Sequence, residues 1–269
     1  MSRESEKILV KSRYSPSFYV AKSISGVYGD QLWESEWEPD QQEGIAKVLR
    51  NSSAIFVDVG AAVGVYSLMA AALGRRVIAI EPGDSIFQDL NRNMDCNSNF
   101  APNVTLLHGF AVARNESKRK LGGYAQNSSK MTFSQEDYVL EELLREHDNL
   151  VIKMDIEGAE WPIIQDSSFI KMLKERNFIL FLSLHIGFHG FDFSNLQQKM
   201  NYRKGVMSEI FTLFKLSRRF KFFYELKNGE LKKVNFFRKN LFNGNAWHHN
   251  PIVISDSRDL MKSLKADLE

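Results

Sequence analysis

The sequence predicts an α/β fold, a mostly parallel sheet with helices on both faces, and three observations carry that expectation. From Ala54 onward, short β-branched or apolar runs alternate with segments of helical periodicity. The runs are apolar along their whole length, as central parallel strands require because both their faces are covered. The first run passes directly into a glycine-bearing turn and then a helix, the arrangement at which open α/β sheets bind ligands.

Strands are expected over 55–59, 77–80, 104–108, 150–154 and 178–185, and helices over 65–73, 85–94, 135–146 and 159–174. In the third helix, Ser134 offers a cap with Asp137 three residues on, and Val139, Leu140, Leu143 and Leu144 form one apolar stripe. Residues 1–50 precede the alternation and contain EGIAKVL, a helical stretch feeding the first strand, so they are expected to form an N-terminal helical cap. Residues 112–133, rich in Gly, Ser, Asn and Lys, predict a surface excursion that could flank a substrate.

After Gly190 the pattern changes. A helix is expected over 196–214, followed by a hairpin turning at Asn228-Gly229, a last strand in PIVISD and a short helix over 257–265, so that the sheet ends antiparallel. The chain thus divides into a cap, 1–50, and one domain, 51–269, with a core over 54–190 and a basic C-terminal portion over 191–269.

Composition limits the setting. The single cysteine, Cys96, excludes an intrachain disulfide and points to a reducing compartment, the cytoplasm by default. The polar start, MSRESEKILVKSRYS, lacks the apolar core of a signal peptide, and no run approaches the roughly 18 apolar residues of a transmembrane span. Residues 199–239 hold twelve basic residues against Glu209, Glu225 and Glu230, a net of +9, while the rest of the chain carries −7. Such a field suits anionic partners, whether a phosphorylated sugar, nucleic acid or a lipid head group at a peripheral membrane contact, although a solvated surface is the commoner reason for it.

The run DVGAAVG, Asp58 to Gly64, brings the backbone close to whatever lies above the strand ends, with Gly60 and Gly64 permitting the sharp turn around Ala61. Its Gly-x-x-x-Gly spacing lacks the third glycine with which dinucleotide-binding folds admit a pyrophosphate. S-adenosylmethionine carries an ammonium and a sulfonium but no phosphate, and the acid at the loop's entrance, Asp58, suits that ammonium directly or through water. Glu81-Pro82 ends the second strand about twenty residues on, where a carboxylate can accept both ribose hydroxyls. A nicotinamide cofactor would also satisfy that spacing.

The fourth strand ends in KMDIEGAEW, which gathers Lys153, Asp155, Glu157 and Glu160 at one edge of the sheet. If the strand continues, Asp155 and Glu157 point the same way and could share a substrate hydroxyl, a water or an oxygen-preferring divalent cation. The alternative is that Asp155 caps the next helix while Glu157 and Glu160 favour its positive end. His185 closes the fifth strand and suits a general base near neutral pH, whereas His189, His248 and His249 show no metal-ligand spacing.

On these residues the chain resembles the FkbM family of S-adenosylmethionine-dependent O-methyltransferases across roughly 37–190. FVDVGAAVGVYS and VIAIEP are similar to the family's cofactor loop and ribose-binding acid, IKMDIEGAE to its most distinctive signature, and FLSLH to its fifth strand. The resemblance implies a Rossmann-like class I methyltransferase fold, a seven-stranded sheet with an antiparallel last strand. It also implies methyl transfer to a hydroxyl of a sugar, glycan or natural product. Cofactor binding is then assigned to Asp58, Gly60, Ala61, Gly64, Glu81, Pro82 and Asp155. It extends to Phe110 and Ala111, where 108–111 passes the adenine mostly through backbone, and Asp155, Glu157 or His185 would remove the proton. Two positions depart from the family pattern: Ala62 stands where asparagine is usual, and Ser183 stands where an acid commonly precedes the histidine by two. An NAD-dependent oxidoreductase and a non-catalytic cofactor-binding module with a basic nucleic-acid-binding surface are the alternative readings.

Overall fold

The computed structural model describes residues 7–26, 31–34, 37–114, 132–184, 196–236 and 251–265. The N-terminal region was expected to be helical, yet it opens with an antiparallel hairpin, β1 (Lys7–Val10) and β2 (Phe18–Ala21), followed by the single-turn α1 (Gln31–Glu34) and then α2 (Pro39–Arg50). Asn97 and Asn93 accept the Tyr19 and Ala21 amides at 2.8 and 2.9 Å, tying the hairpin to the α/β body. Paired with a partner strand and anchored by side-chain amides, these short runs satisfy their backbone without any helical period.

The body begins β3 (Ile55–Val59), α3 (Val65–Ala72), β4 (Val77–Glu81), α4 (Asp84–Asp95) and β5 (Val104–His108). A small parallel pair follows, β6 (Phe110–Val112) with β7 (Asp137–Val139), leading into α5 (Leu140–Leu144). Then come β8 (Asn149–Met154), α6 (Glu160–Gln165), α7 (Ser167–Lys174), β9 (Asn177–Leu182) and α8 (Leu196–Ser217). The hairpin β10 (Phe222–Lys227) and β11 (Glu230–Lys233), β12 (Ile252–Ser255) and α9 (Arg258–Lys265) complete the described chain.

The main sheet has the order β11-β10-β12-β9-β8-β3-β4-β5. β5, β4, β3, β8 and β9 run parallel, and β12 inserts antiparallel between β9 and β10. These are the seven strands of the expected Rossmann-like sheet. The eighth, β11, is the return arm of the predicted hairpin, whose Asn228 and Gly229 have φ of 53° and 70°.

Alternation along the strands divides the core. Val57, Val59, Ile152, Met154, Leu180 and Leu182 join one cluster with α6, α7 and α8, while Phe56, Val151, Ile179 and Phe181 join the other with α2, α3 and α9.

Two helical expectations change. Residues 137–139 are extended because their backbone pairs with β6, and the Ser134 hydroxyl accepts the Glu136 amide at 3.1 Å, leaving only 140–144 helical. The segment expected as one helix over 159–174 breaks at Asp166, whose extended backbone (ψ 119°) ends α6 and whose carboxylate caps Ser168 of α7 at 2.8 Å.

Candidate active site

The loop after β3 alternates left-handed residues: Gly60, Ala62 and Gly64 have φ of 79°, 48° and 98°. Glycine adopts that region freely and alanine does not, whereas asparagine tolerates it well. Ala62 is therefore the strained member, at the position where the resemblance favours asparagine. The Gly60 and Ala61 amides both donate to the Ile80 carbonyl at 3.0 Å, the Ala62 amide donates to Glu81 Oε2 at 3.0 Å, and Asn93 Nδ2 donates to the Val63 carbonyl at 2.9 Å. A Cβ at Gly60 would lie 2.1 Å from the Asp155 carbonyl oxygen, so β3 and the chain leaving β8 meet backbone to backbone there.

Beneath this loop is a polar cluster. Asp58 is fully buried and faces α3, with Oδ2 accepting the Ser67 hydroxyl at 2.7 Å. Lys153, its register partner on β8, lies 3.4 Å from Asp58 Oδ1 and donates to the Gly60 carbonyl at 2.7 Å. That 3.4 Å contact is an ion pair without hydrogen-bond geometry, so Asp58 Oδ1 keeps an unused acceptor position among the described residues. Tyr66 donates to Glu38 Oε2 at 2.5 Å, and the Lys153 ammonium stands 5.3 Å from its ring centre.

Burial acts against charge on Lys153, but the carboxylates of Asp58, Asp155 and Glu38 outweigh it and hold the ammonium above its ordinary pKa. Burial raises Asp58, opposed by Lys153 and Ser67. Burial also raises the Tyr66 phenol well above its ordinary value, reinforced by the charge and hydrogen bond of Glu38. Asp58 was expected to project into the crevice. It lies under the loop instead, because even-numbered residues of β3 face the α3 layer.

Glu81 ends β4, where Oε1 accepts the Gly83 amide at 2.8 Å and Oε2 the Ala62 amide. Burial pushes its carboxyl up to about 7, although both amides pull it down. The Pro82 carbonyl accepts the Ser134 amide at 2.9 Å and the Asp84 amide donates to the Thr132 carbonyl at 3.0 Å, so the far end of the predicted excursion lies against the Glu81 turn. The Phe110 amide donates to Glu136 at 3.0 Å and Ala111 pairs with Tyr138 in the β6–β7 ladder. The Phe110 ring lies 6.1 Å from that of Phe133. His108 stacks on Phe87 with ring centres 4.4 Å apart.

β8 ends at Met154, and the Asp155 amide donates to the Val59 carbonyl at 3.1 Å. Glu157 is left-handed (φ 52°) and Gly158 follows at 102°. Asp155 and Glu157 therefore do not share a strand pleat, as a continuing strand would have required; the chain turns at Glu157-Gly158, where the Ala159 amide donates to the Ile156 carbonyl at 3.2 Å. Glu160 is fully buried and spans that turn, Oε1 accepting the Ile156 amide at 3.0 Å and Oε2 the Gly158 amide at 2.8 Å. Its part is to hold the turn that carries the other two acids.

His185 lies outside the described residues, as do His189, His248 and His249. Ser183 donates to Gln41 Oε1 at 3.3 Å at the end of β9. Among the described residues no group of three or more His, Cys, Asp or Glu could hold a metal ion, so a divalent cation, one of the three possibilities read for Asp155 and Glu157, finds no such cage there. No described helix is long and apolar enough to cross a membrane.

Sequence reasoning gathered Lys153 with its neighbours but gave it no part, and it missed Tyr66 and Glu38. Glu38 carried no signal, because its position depends on how α2 packs. Lys153 could have been found: a lysine inside an otherwise apolar central strand demands a partner.

Among curated proteins, none matches the chain. Solved structures with some likeness include precorrin-6y C5,15-methyltransferase from Geobacter metallireducens (15% identity, 80% of this chain and 85% of that one, TM-score 0.35). They also include the glycopeptide N-methyltransferase MtfA (14%, 56% and 58%, TM-score 0.31) and a SAM-dependent methyltransferase from Agrobacterium tumefaciens (10%, 67% and 55%, TM-score 0.34). The family model for the methyltransferase FkbM domain matches residues 58–204, more than half of the chain and every strand from β4 through β9. By that match, the chain belongs to the FkbM methyltransferase family.

Proposed function

We propose that this protein transfers a methyl group from S-adenosylmethionine to a hydroxyl of a sugar, glycan or natural-product acceptor. The observation that carries the reading is the buried Glu81 carboxylate, fixed to the cofactor loop by the Ala62 amide and set at the end of β4, where ribose hydroxyls would find an acceptor. A carboxylate has about four lone-pair positions, and two backbone amides leave room for two hydroxyls. The surplus of carboxylates around the loop, Glu38, Asp58, Glu81 and Asp155 against Lys153, suits a ligand that carries an ammonium and a sulfonium. The residues present therefore fit the cofactor.

When bound, that cofactor supplies an electrophilic methyl carbon, taken in line by the acceptor oxygen. The chain's part is to align the hydroxyl, an effect on the order of 7–11 kcal/mol for well-oriented reactants, and to accept its proton, worth roughly a hundred- to ten-thousand-fold. Asp155 is the favoured acceptor, because its main chain is locked against Val59 and Gly60 at the edge of the loop. Glu157 and His185 are the other candidates.

Calorimetric titration with S-adenosylmethionine tests cofactor binding, and no heat at millimolar cofactor would overturn it. Labelled cofactor with a host extract of glycans and small molecules, followed by mass spectrometry, tests the acceptor. Label on oxygen, lost on the order of a hundredfold in Asp155→Asn at saturating cofactor, is expected. Label on nitrogen or carbon would overturn the hydroxyl.

A further inference from the structure

The long helix α8 carries two neighbouring apolar stripes, one covered and one exposed, which adjoin at Ile210 and Phe214. Val206, Ile210, Leu213 and Leu216 are buried in the core beneath it. Beside that covered stripe, Met200, Met207, Phe211 and Phe214 are 45, 48, 56 and 43% exposed. At 3.6 residues per turn these four fall in one narrow stripe along a helix about 33 Å long. Arg203, Lys204 and Lys215 flank the stripe and Arg218 ends it, all exposed. The helix's single acid, Glu209, is buried on the core side. The Lys215 ammonium lies 4.3 Å from the Phe211 ring centre and the Arg218 guanidinium 5.7 Å from that of Phe214, so charged heads and apolar rings share one surface.

We propose that this face docks on an anionic lipid bilayer. α8 would lie in the interface plane, with Met200, Met207, Phe211 and Phe214 at the acyl boundary and Arg203, Lys204, Lys215 and Arg218 among the head groups. An exposed large-apolar stripe bordered by basic residues and free of acids is the composition of an interfacial helix. The charge argues against the alternatives. A second copy meeting this face through a two-fold axis would bring its basic residues against their equals. Nucleic acid would be held by a basic groove tracking phosphates, whereas the middle of this surface is methionine and phenylalanine. The inference goes beyond methyl transfer and does not depend on it.

Co-sedimentation tests it without activity, using vesicles of phosphatidylcholine alone and of phosphatidylcholine mixed equally with phosphatidylglycerol. The protein is expected to pellet with the anionic vesicles and to stay in solution with the neutral ones. The pairs Met207→Ser/Phe211→Ser and Lys204→Glu/Lys215→Glu should each lower binding by roughly tenfold or more. Their thermal unfolding midpoints should match the parent, because the four side chains are exposed. No pelleting with anionic vesicles at low ionic strength would overturn the proposal. So would pelleting that the Met207→Ser/Phe211→Ser pair leaves unchanged, tighter binding to single-stranded RNA than to vesicles, or a dimer that this pair disperses.

Discussion

Lys153 and Asp58 are register partners on adjacent parallel strands, and the Lys153 ammonium bridges from the Asp58 carboxylate at 3.4 Å to the Gly60 carbonyl at 2.7 Å. One buried cation thus joins β8 to the glycine-bearing loop that follows β3. Lys153→Met would leave Asp58 buried without its counter-charge, a change that costs about 3–5 kcal/mol for pairs of this kind. Urea unfolding should show a loss of that size for Lys153→Met and partial recovery in Lys153→Met/Asp58→Asn. An additive double variant would mean that the two charges are uncoupled.

Gly60 and Gly74 both have left-handed backbones, but a Cβ at Gly60 would lie 2.1 Å from the Asp155 carbonyl oxygen, whereas nothing lies within 4 Å of a Cβ at Gly74. Gly74→Ala should cost about 1–2 kcal/mol from backbone strain alone. Gly60→Ala should cost more and abolish S-adenosylmethionine binding by calorimetry. Equal losses in the two variants would show that close packing at Gly60 is not what requires glycine.

Glu81 titrates near 7 in the folded protein, raised by burial above an ordinary value of 4.5. A raised carboxyl stabilises the fold below its ordinary pKa and loses that contribution as pH climbs through about 7. The ligand-free protein should therefore lose stability over this window, and Glu81→Gln should flatten that segment of the profile. Ribose hydroxyls donate to the ionised form, so cofactor affinity should rise over the same window, with proton release on binding near pH 6.5. Calorimetry in buffers of different ionisation enthalpy measures the proton, and zero release would remove Glu81 from the ribose site.

Ala62 holds φ 48° while its amide donates to Glu81. Ala62→Asn, which keeps the amide and tolerates this conformation, should raise stability by about 0.5–1 kcal/mol. The thermal midpoint reads it, and a fall would mean that the added side chain collides with the loop.

Glu160 accepts two amides of the turn that carries Asp155 and Glu157. Glu160→Gln keeps the volume but can accept through only one atom, leaving a buried donor unpaired at about 1–3 kcal/mol. Methyl-transfer kcat should drop more than cofactor affinity, because the loop and Glu81 stay in place. An unchanged kcat would separate this turn from the chemistry.

The sequence by itself determined the framework. Five apolar runs became the five parallel strands within a residue or a few at each end, Asn228-Gly229 became the hairpin turn, and the spacing from Gly60 to Glu81 brought loop and carboxylate together. These features are local: a strand buried on both faces must be apolar, and a turn with positive φ selects glycine or asparagine.

Tertiary structure alone decided the rest, because partners distant in sequence settle it. Val139 begins the apolar stripe expected of a helix, but residues 137–139 pair with β6, and hydrogen bonding to that segment, with two good strand formers in Tyr138 and Val139, leaves only 140–144 helical. Asp58 reads as a ligand-facing acid, yet the pleat turns it inward to meet Lys153 and Ser67. Asp155 and Glu157 read as neighbours on one strand until β8 stops at Met154 and a left-handed residue turns the chain. In α8, the apolar residues are evident in the sequence, but only packing distinguishes the stripe that the core covers from the stripe left facing out.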